Sequence, residues 1–321
     1  MKSATVAVVV ALLCFPIVGQ AQNCCAPAVS PQGVLGETVA LPHTLDIGVH
    51  YEYLRSRDMY EGSDRIANPR NTEADWKRAI LTVAYGLFPQ LSVSAVIPYA
   101  WKKKRLDLVG DNSRIELASD GIGDVSILLR FSPLTRSFVN FRELSLGLGV
   151  KAPTGSADWC SWLPEELQPG TGSWDFIGSV SYYQGFEPVD FVLSSTYVLT
   201  TAHHDQCTAY DESYEFGDQL SYLLTANCHP AARFDLSLAI SGIVRGRDIL
   251  DDEKVPGTGR HQLWFVPGLQ FVAVPETLRL QVFFEQPIYQ HFNGEQLGSD
   301  FNVRLTVVYT LPLKKSTEDD T

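Results

Sequence analysis

The chain has 321 residues, and its 37 acidic and 25 basic side chains give a formal net charge of −12 at pH 7. This charge argues against nucleic-acid binding, which needs a basic surface. The hydrophobic share of 45% indicates a large buried surface. However, no run after residue 21 approaches the about 20 apolar residues that a membrane-spanning helix needs.

The first 21 residues predict a secretory signal peptide. Met1-Lys2 supply a basic start, residues 4–18 form a mostly apolar run, and Gly19-Gln20-Ala21 offers small residues at the two positions that a signal peptidase recognises. The run is short for a membrane anchor, and the residues before Cys24 do not suit a lipoprotein signal. We therefore expect the mature chain to begin at Gln22.

Between residues 44 and 311 the chain alternates between apolar and polar residues. From Leu45 to Tyr53 every second residue is apolar, and the same period recurs from Phe301 to Tyr309. A period of two places the two sets on opposite faces of a strand. Twelve such runs are predicted to be strands, near 44–56, 77–87, 91–104, 122–132, 141–152, 174–184, 189–202, 218–228, 233–247, 261–273, 278–290 and 299–311.

The links between these strands alternate in length. Short turns such as 88–90 and 185–188 are followed by long polar links near 57–76, 105–121, 153–173, 203–217 and 248–260. Short periplasmic turns and long outer loops are typical of transmembrane barrels. In lipid the strands must also close on themselves, because every backbone group needs a partner. The sequence therefore predicts an all-β fold, a closed antiparallel transmembrane β-barrel of about 12 strands.

This fold divides the chain into four parts. The signal peptide covers 1–21, an N-terminal periplasmic or plug segment covers 22–43, the barrel covers 44–311, and a disordered polar tail covers 312–321. The tryptophans provide a further expectation, because belts of aromatic residues mark the membrane interfaces. Four of them fall where a strand meets a long link and are predicted to form an outer belt, although aromatic residues also favour strands in general: Trp76, Trp101, Trp174 and Trp264.

In such a barrel the apolar set faces lipid and the alternate set faces the lumen. The alternate set contains charges of both signs, which form either a packed network of ion pairs or a polar path for solutes. Twelve strands leave a bore between that of a filled eight-stranded barrel and an open sixteen-stranded porin. We expect Asp175 to be the first contact of a solute. The candidate pore-lining residues are Asp175, Arg279, Glu285, Arg304, Asp124, Arg130, Arg78 and Glu52.

Several motifs resemble those of a known family. They are GIGDV at 121–125 with SILLRF at 126–131, GVKAPTG at 149–155, PGTGSWDF at 169–176, EQPIYQ at 285–290 and EQLG at 295–298. With these motifs the chain resembles the meta-pathway phenol-degradation family of outer-membrane β-barrel transporters, over about residues 45–311. The resemblance implies a channel or transporter for small, aromatic or hydrophobic molecules. The alternative is a structural or adhesive surface barrel with a closed lumen.

Little in the sequence points to an enzyme. There is no Gly-x-Ser-x-Gly elbow, no His-Glu-x-x-His and no phosphate-binding glycine loop. An outer-membrane lipase would need a serine beside a histidine, and neither His50 nor His291 has a serine at a suggestive spacing. We expect no catalytic activity, no metal and no cofactor. The run from His203 to Asp205 has metal-binding atoms without a metal-site spacing and is interpreted as an outer loop.

The remaining expectations concern the cell. A Gram-negative outer membrane is the predicted location. The expected partners are outer-membrane lipid and lipopolysaccharide, the barrel-assembly machinery and a small-molecule solute, with no nucleic acid. Cys160 and Cys207 lie in successive outer links and are predicted to form a disulfide.

Overall fold

A computed structural model describes residues 39–108, 113–135, 142–156, 163–205 and 212–313. Its main feature is a set of twelve long strands. We number them β1 (Thr44–Ser56), β2 (Glu73–Phe88), β3 (Leu91–Asp107), β4 (Val125–Leu134), β5 (Arg142–Ala152), β6 (Asp175–Phe186), β7 (Val189–Leu199), β8 (Gln219–Ala231), β9 (Phe234–Arg245), β10 (Arg260–Val274), β11 (Leu278–Leu297) and β12 (Phe301–Pro312).

The twelve strands form a closed barrel. Each strand pairs antiparallel with the next, and β12 pairs back with β1 along its whole length, so that Glu52 lies opposite Arg304 on one side and Arg78 on the other. Closure leaves no free sheet edge, which is what a strand in lipid requires. The predicted fold class is thereby confirmed.

The long links add shorter elements at one end of the barrel, which we call the outer end. The strand Arg114–Ile122 extends the wall by pairing with β3, and Met59–Gly62 and Asp64–Ile66 form a hairpin beside β11. A separate small sheet contains His203–Asp205, Glu212–Glu215, Ile249–Leu250 and Glu253–Lys254. The 3-10 helix Glu165–Leu167 is short, and none of the described residues form a helix that is long and apolar enough to span a membrane.

The period of two in the sequence appears as two faces of the wall. On β1, Val49 and Tyr51 are exposed on the outside, whereas His50 and Glu52 are buried inside. The same alternation continues around the ring, where exposed leucine, valine and phenylalanine side chains cover the outer surface. This apolar surface is the face that lipid would cover.

The tryptophan belt is only half as predicted. Trp101 and Trp174 do lie on the outer surface, with 41% and 54% of their surface exposed. Trp264, in contrast, is 1% exposed and points into the barrel, and Trp76 lines a cavity inside its outer end. The prediction was wrong for these two residues because it considered their height along the strand and not the face on which they lie.

Some expectations fall outside the described residues. These are the signal peptide at 1–21, most of the N-terminal segment, most of the tail at 312–321, and both Cys160 and Cys207. Cys228, on β8, is described and is a free cysteine.

Candidate functional site: the barrel interior

Three of the motifs meet inside the barrel. Lys151 Nζ lies 3.3 Å from Asp124 and 2.5 Å from Asp175, and all three side chains are buried. Asp124 also accepts hydrogen bonds from the backbone N–H groups of Gly155 and Thr171, each at 2.8 Å. A buried ion pair is stable only when further hydrogen bonds satisfy the remaining polar atoms of the two charged groups. The network therefore joins β5 and β6 to the long link between them and to the residue that precedes β4.

The network anchors a loop inside the barrel. Residues 163–173 leave the wall and return to β6, and Leu167 is fully buried. Lys102 donates to the backbone oxygen of Gln168 at 2.5 Å, and Ser119 donates to that of Leu167. We call residues 163–173 the inward loop. It occupies the outer part of the lumen.

Two glycines allow this loop to pack closely. A Cβ atom added to Gly155 would lie 2.7 Å from the Cα atom of Gly170, which is closer than two such atoms approach each other. The glycines of the motifs are therefore explained by contact between two backbones.

A second ion network crosses four strands. Glu52 of β1 pairs with Arg78 of β2, and Arg304 of β12 pairs with Glu285 of β11 at 3.2 Å. Arg304 also lies 3.9 Å from Glu52. Arg304 is 1% exposed, and its guanidinium lies over the ring of Phe283, 5.0 Å from the centroid. On this side the wall is packed with paired charges.

All eight candidate residues face inward, but they occupy different environments. Asp124 and Asp175 belong to the first network, and Glu52, Arg78, Glu285 and Arg304 belong to the second. Asp175 is fully buried and paired with Lys151, so a solute would contact it only after the network had opened. Arg130 is buried on β4. Arg279 is partly exposed near the periplasmic end, where it donates to Thr310 at 3.4 Å.

A cavity of about 710 Å³ lies inside the outer end of the barrel. Its size is within the range of small-molecule pockets. Trp76, Tyr214 and Phe216 contribute aromatic surface, and Arg245 and Asp248 contribute a buried ion pair. Burial, together with the Asp248 carboxylate beside it, raises the pKa of Tyr214, so its hydroxyl remains protonated and donates to Asp248 at 2.8 Å.

The lumen also contains an apolar layer that the sequence analysis missed. One wall contributes Ile80, Val96, Leu128, Ile177 and Val198 from five strands. The other contributes Leu223, Ile243, Trp264 and Val266. The signal was present in the sequence, since each of these residues has the inward parity of its strand. It was overlooked because only the charged members of that set were counted.

The N-terminal segment enters the periplasmic mouth. The backbone N–H of Val39 donates to the Glu143 carboxylate of β5 at 2.8 Å, and Ala40 packs into the apolar layer beside Ala84. Farther along, His43 donates to the backbone oxygen of Gly86 at 2.8 Å. Residues 39–43 therefore cross the mouth from β1 and β2 to β5.

Hydrolytic chemistry has one partial candidate. Ser63 Oγ lies 3.1 Å from His291 Nδ1 on the outer surface, a proximity that their separation in sequence did not indicate. Nucleophilic catalysis also needs a group that orients the histidine, and no such hydrogen bond to His291 occurs among the described residues. The described residues also contain no group of three or more histidine, cysteine, aspartate or glutamate side chains that could hold a metal ion.

Comparisons with known proteins agree with this architecture. The COG4313 outer membrane channel from Pseudomonas putida F1 has a TM-score of 0.69 at 15% identity, over 86% of this chain and 98% of that one. The NanC porin has a TM-score of 0.45 at 10% identity, over 83% of this chain and 100% of that one. The toluene transporter TodX of P. putida has a TM-score of 0.42 at 7% identity, over 86% of this chain and 91% of that one. The first similarity shows the shared barrel fold.

No curated protein sequence matches the chain. A family model does match residues 71–286, and its description is the MetA-pathway of phenol degradation. This match covers more than half of the chain and includes the motifs that build the inward loop. The chain belongs to the MetA-pathway phenol-degradation family of barrels.

Proposed function

We propose that this protein is an outer-membrane channel for small aromatic or hydrophobic molecules. The observation that carries the proposal is the apolar layer of the lumen, between the outer cavity and the periplasmic mouth. A pore for hydrophilic solutes has a polar interior. Val96, Leu128 and Ile177 instead disfavour hydrated ions and sugars, because a polar solute loses water contacts against them. The hydroxyl groups of Thr82 and Ser126, opposite Val96 in the register, replace only part of those contacts.

A closed state of the channel would account for the packing of the lumen. Residues 39–43 cover the periplasmic end of the layer, and the inward loop occupies the outer end. Passage therefore requires one or both segments to move. The N-terminal segment is the better candidate, because its described anchors are single hydrogen bonds, whereas the inward loop is tied to a buried ion network.

The location and partners follow from the same reasoning. An exported barrel with an apolar outer surface fits the outer membrane of a Gram-negative bacterium, where the assembly machinery would insert it. The proposed function is passage of solute and not catalysis, and the lack of an orienting hydrogen bond to the Ser63–His291 pair among the described residues supports it.

Uptake by intact cells tests the proposal, because aromatic molecules cross simple lipid vesicles unaided. A Gram-negative host that expresses the protein should take up a labelled aromatic compound faster than the host alone, with little change for arabinose. Leu128→Ser should reduce the aromatic rate. Leu129→Ser is the matched control, because Leu129 is the next residue on β4 and faces lipid. Equal effects of both variants, or no gain in aromatic uptake, would refute the proposal.

A further inference from the structure

All but one of the cationic side chains on the lipid-facing surface of the described strands lie in one part of the outer rim. Arg55 on β1, Lys77 on β2, and Lys103 and Arg105 on β3 all have the outward parity of their strands. Among the described residues of the other nine strands, the outward positions carry one arginine or lysine, Arg142, at the periplasmic end of β5. In a chain with a net charge of −12, this clustering is distinctive.

Aromatic residues fix the height of the cluster. Lys77 lies directly between Tyr53 and Trp101 in the strand register. The Trp101 ring packs on Tyr99 with centroids 4.6 Å apart. Such rings mark the interface between hydrocarbon and headgroups. The cations therefore lie at the level of the headgroups of the outer leaflet.

Lys77 is the centre of the cluster. Its side chain is exposed, and no carboxylate in the described part of the chain forms an ion pair with it. One register step farther out, Arg55 and Lys103 flank Asp75 on either side and are thus diagonal neighbours of Lys77. Diagonal neighbours in a sheet are about 7–8 Å apart, so these three cations lie close enough to share one multivalent anion.

The acids nearby do not neutralise this site firmly. Asp75 is already bound by the Tyr53 hydroxyl at 2.7 Å and by Arg105 at 3.2 Å. Asp120, opposite Trp101 in the register, is bound by the Tyr99 hydroxyl at 2.6 Å. Lys103 pairs with Glu116 at 2.6 Å and Arg55 with Asp300 at 3.5 Å, but both pairs are partly exposed. Exposed pairs of this kind contribute little, and a phosphate is able to displace them because it accepts several charge-assisted hydrogen bonds at once.

We infer that Arg55, Lys77 and Lys103 form a binding site for the phosphorylated glycolipid of the outer leaflet, lipopolysaccharide, through the phosphates of its lipid A. Acyl chains would then run down the apolar surface of β1–β3, and the sugar backbone would lie against Trp101. The inference depends on the proposed outer-membrane location and is independent of transport, so either one is able to fail alone.

Native mass spectrometry of the delipidated protein in detergent tests this site. The probes are lipid A with both phosphates, lipid A with both removed, and phosphatidylglycerol, all with a chelator so that no divalent cation bridges phosphate to an acid. The bisphosphorylated form should bind best. Equal binding of the dephosphorylated form, or of phosphatidylglycerol, would overturn the inference without any variant.

Variants then locate the site. Lys77→Gln should weaken binding of bisphosphorylated lipid A by about fivefold, the contribution of one cation near a charged membrane surface. Lys254→Gln, in an exposed outer strand, should leave it unchanged. Heat-modified migration on gels confirms that each variant is folded. A folded Lys77→Gln protein with wild-type affinity, or an equal loss in Lys254→Gln, would contradict the assignment.

Discussion

Lys151 Nζ lies 2.5 Å from Asp175 Oδ2, and both side chains are fully buried. This pair holds the start of β6 against β5 and, through Asp124, the inward loop against both. Breaking such a pair leaves a buried charge without compensation.

Lys151→Met should therefore lower the free energy of unfolding by about 3–5 kcal/mol, measured by urea titration in lipid vesicles. Lys104→Met is the control, because Lys104 pairs with Glu166 where both are partly exposed, and its loss should be about 0–1 kcal/mol. Similar losses in the two variants would show that the buried network does not stabilise the barrel.

Charge reversal at two inward arginines should have different effects. Arg304→Glu places a third carboxylate between Glu52 and Glu285, so its main effect should be loss of stability. Arg279 is partly exposed near the periplasmic end, and Arg279→Glu should shift ion preference toward cations. Unfolding temperature and the reversal potential in a salt gradient measure the two effects. If both variants change stability and ion preference equally, Arg304 is not packed and Arg279 is not exposed to water in the way that the structure indicates.

Substitution at Gly86 should displace the N-terminal segment. A Cβ atom there would lie 1.9 Å from the backbone oxygen of Leu41, whereas one at Gly178 would meet nothing within 4 Å. We expect Gly86→Ala to raise the single-channel conductance and Gly178→Ala to leave it unchanged. If Gly86→Ala conducts like the wild type, residues 39–43 do not restrict the mouth.

The two orientations of tryptophan give a fourth prediction. Trp264→Ala removes a filler of the lumen and should cost about 3–5 kcal/mol of stability while raising the passage of polar solutes. Trp101→Ala removes a ring that lies at the lipid surface and should leave solute passage unchanged. Equal changes in passage would show that Trp264 does not close the lumen.

The strands were predictable because their alternation is a local property. From Leu45 to Tyr53 the period of two identifies both the strand and its lipid face, and the alternating link lengths give the order around the ring. The inward parity of Asp175 and Arg304 follows in the same way. Strand ends were less predictable, since Glu73–Phe88 begins four residues before the predicted 77. Polar residues continue the ladder there beyond the membrane.

The features that could not be predicted are contacts between residues far apart in the sequence. Nothing local shows that Lys151 pairs with Asp175, that the Val39 backbone reaches Glu143, or that Ser63 lies beside His291. These relationships are set by how the barrel closes and how the links fold back. Asp175 was predicted to contact solute because of its position near the outer mouth. The sequence does not show that Lys151, from the neighbouring strand, pairs with its carboxylate.

Single-channel recording tests the central claim most directly. The expected mature chain, which begins at Gln22, and a chain that begins at residue 44 would be inserted into planar bilayers at matched amounts, with insertion checked by heat-modified migration. The account predicts small or intermittent currents from the mature chain and larger, steadier currents from the shortened one, because residues 39–43 no longer cover the mouth. Two correctly inserted proteins that both pass no current, together with unchanged aromatic uptake in cells, would contradict it and favour a closed surface barrel.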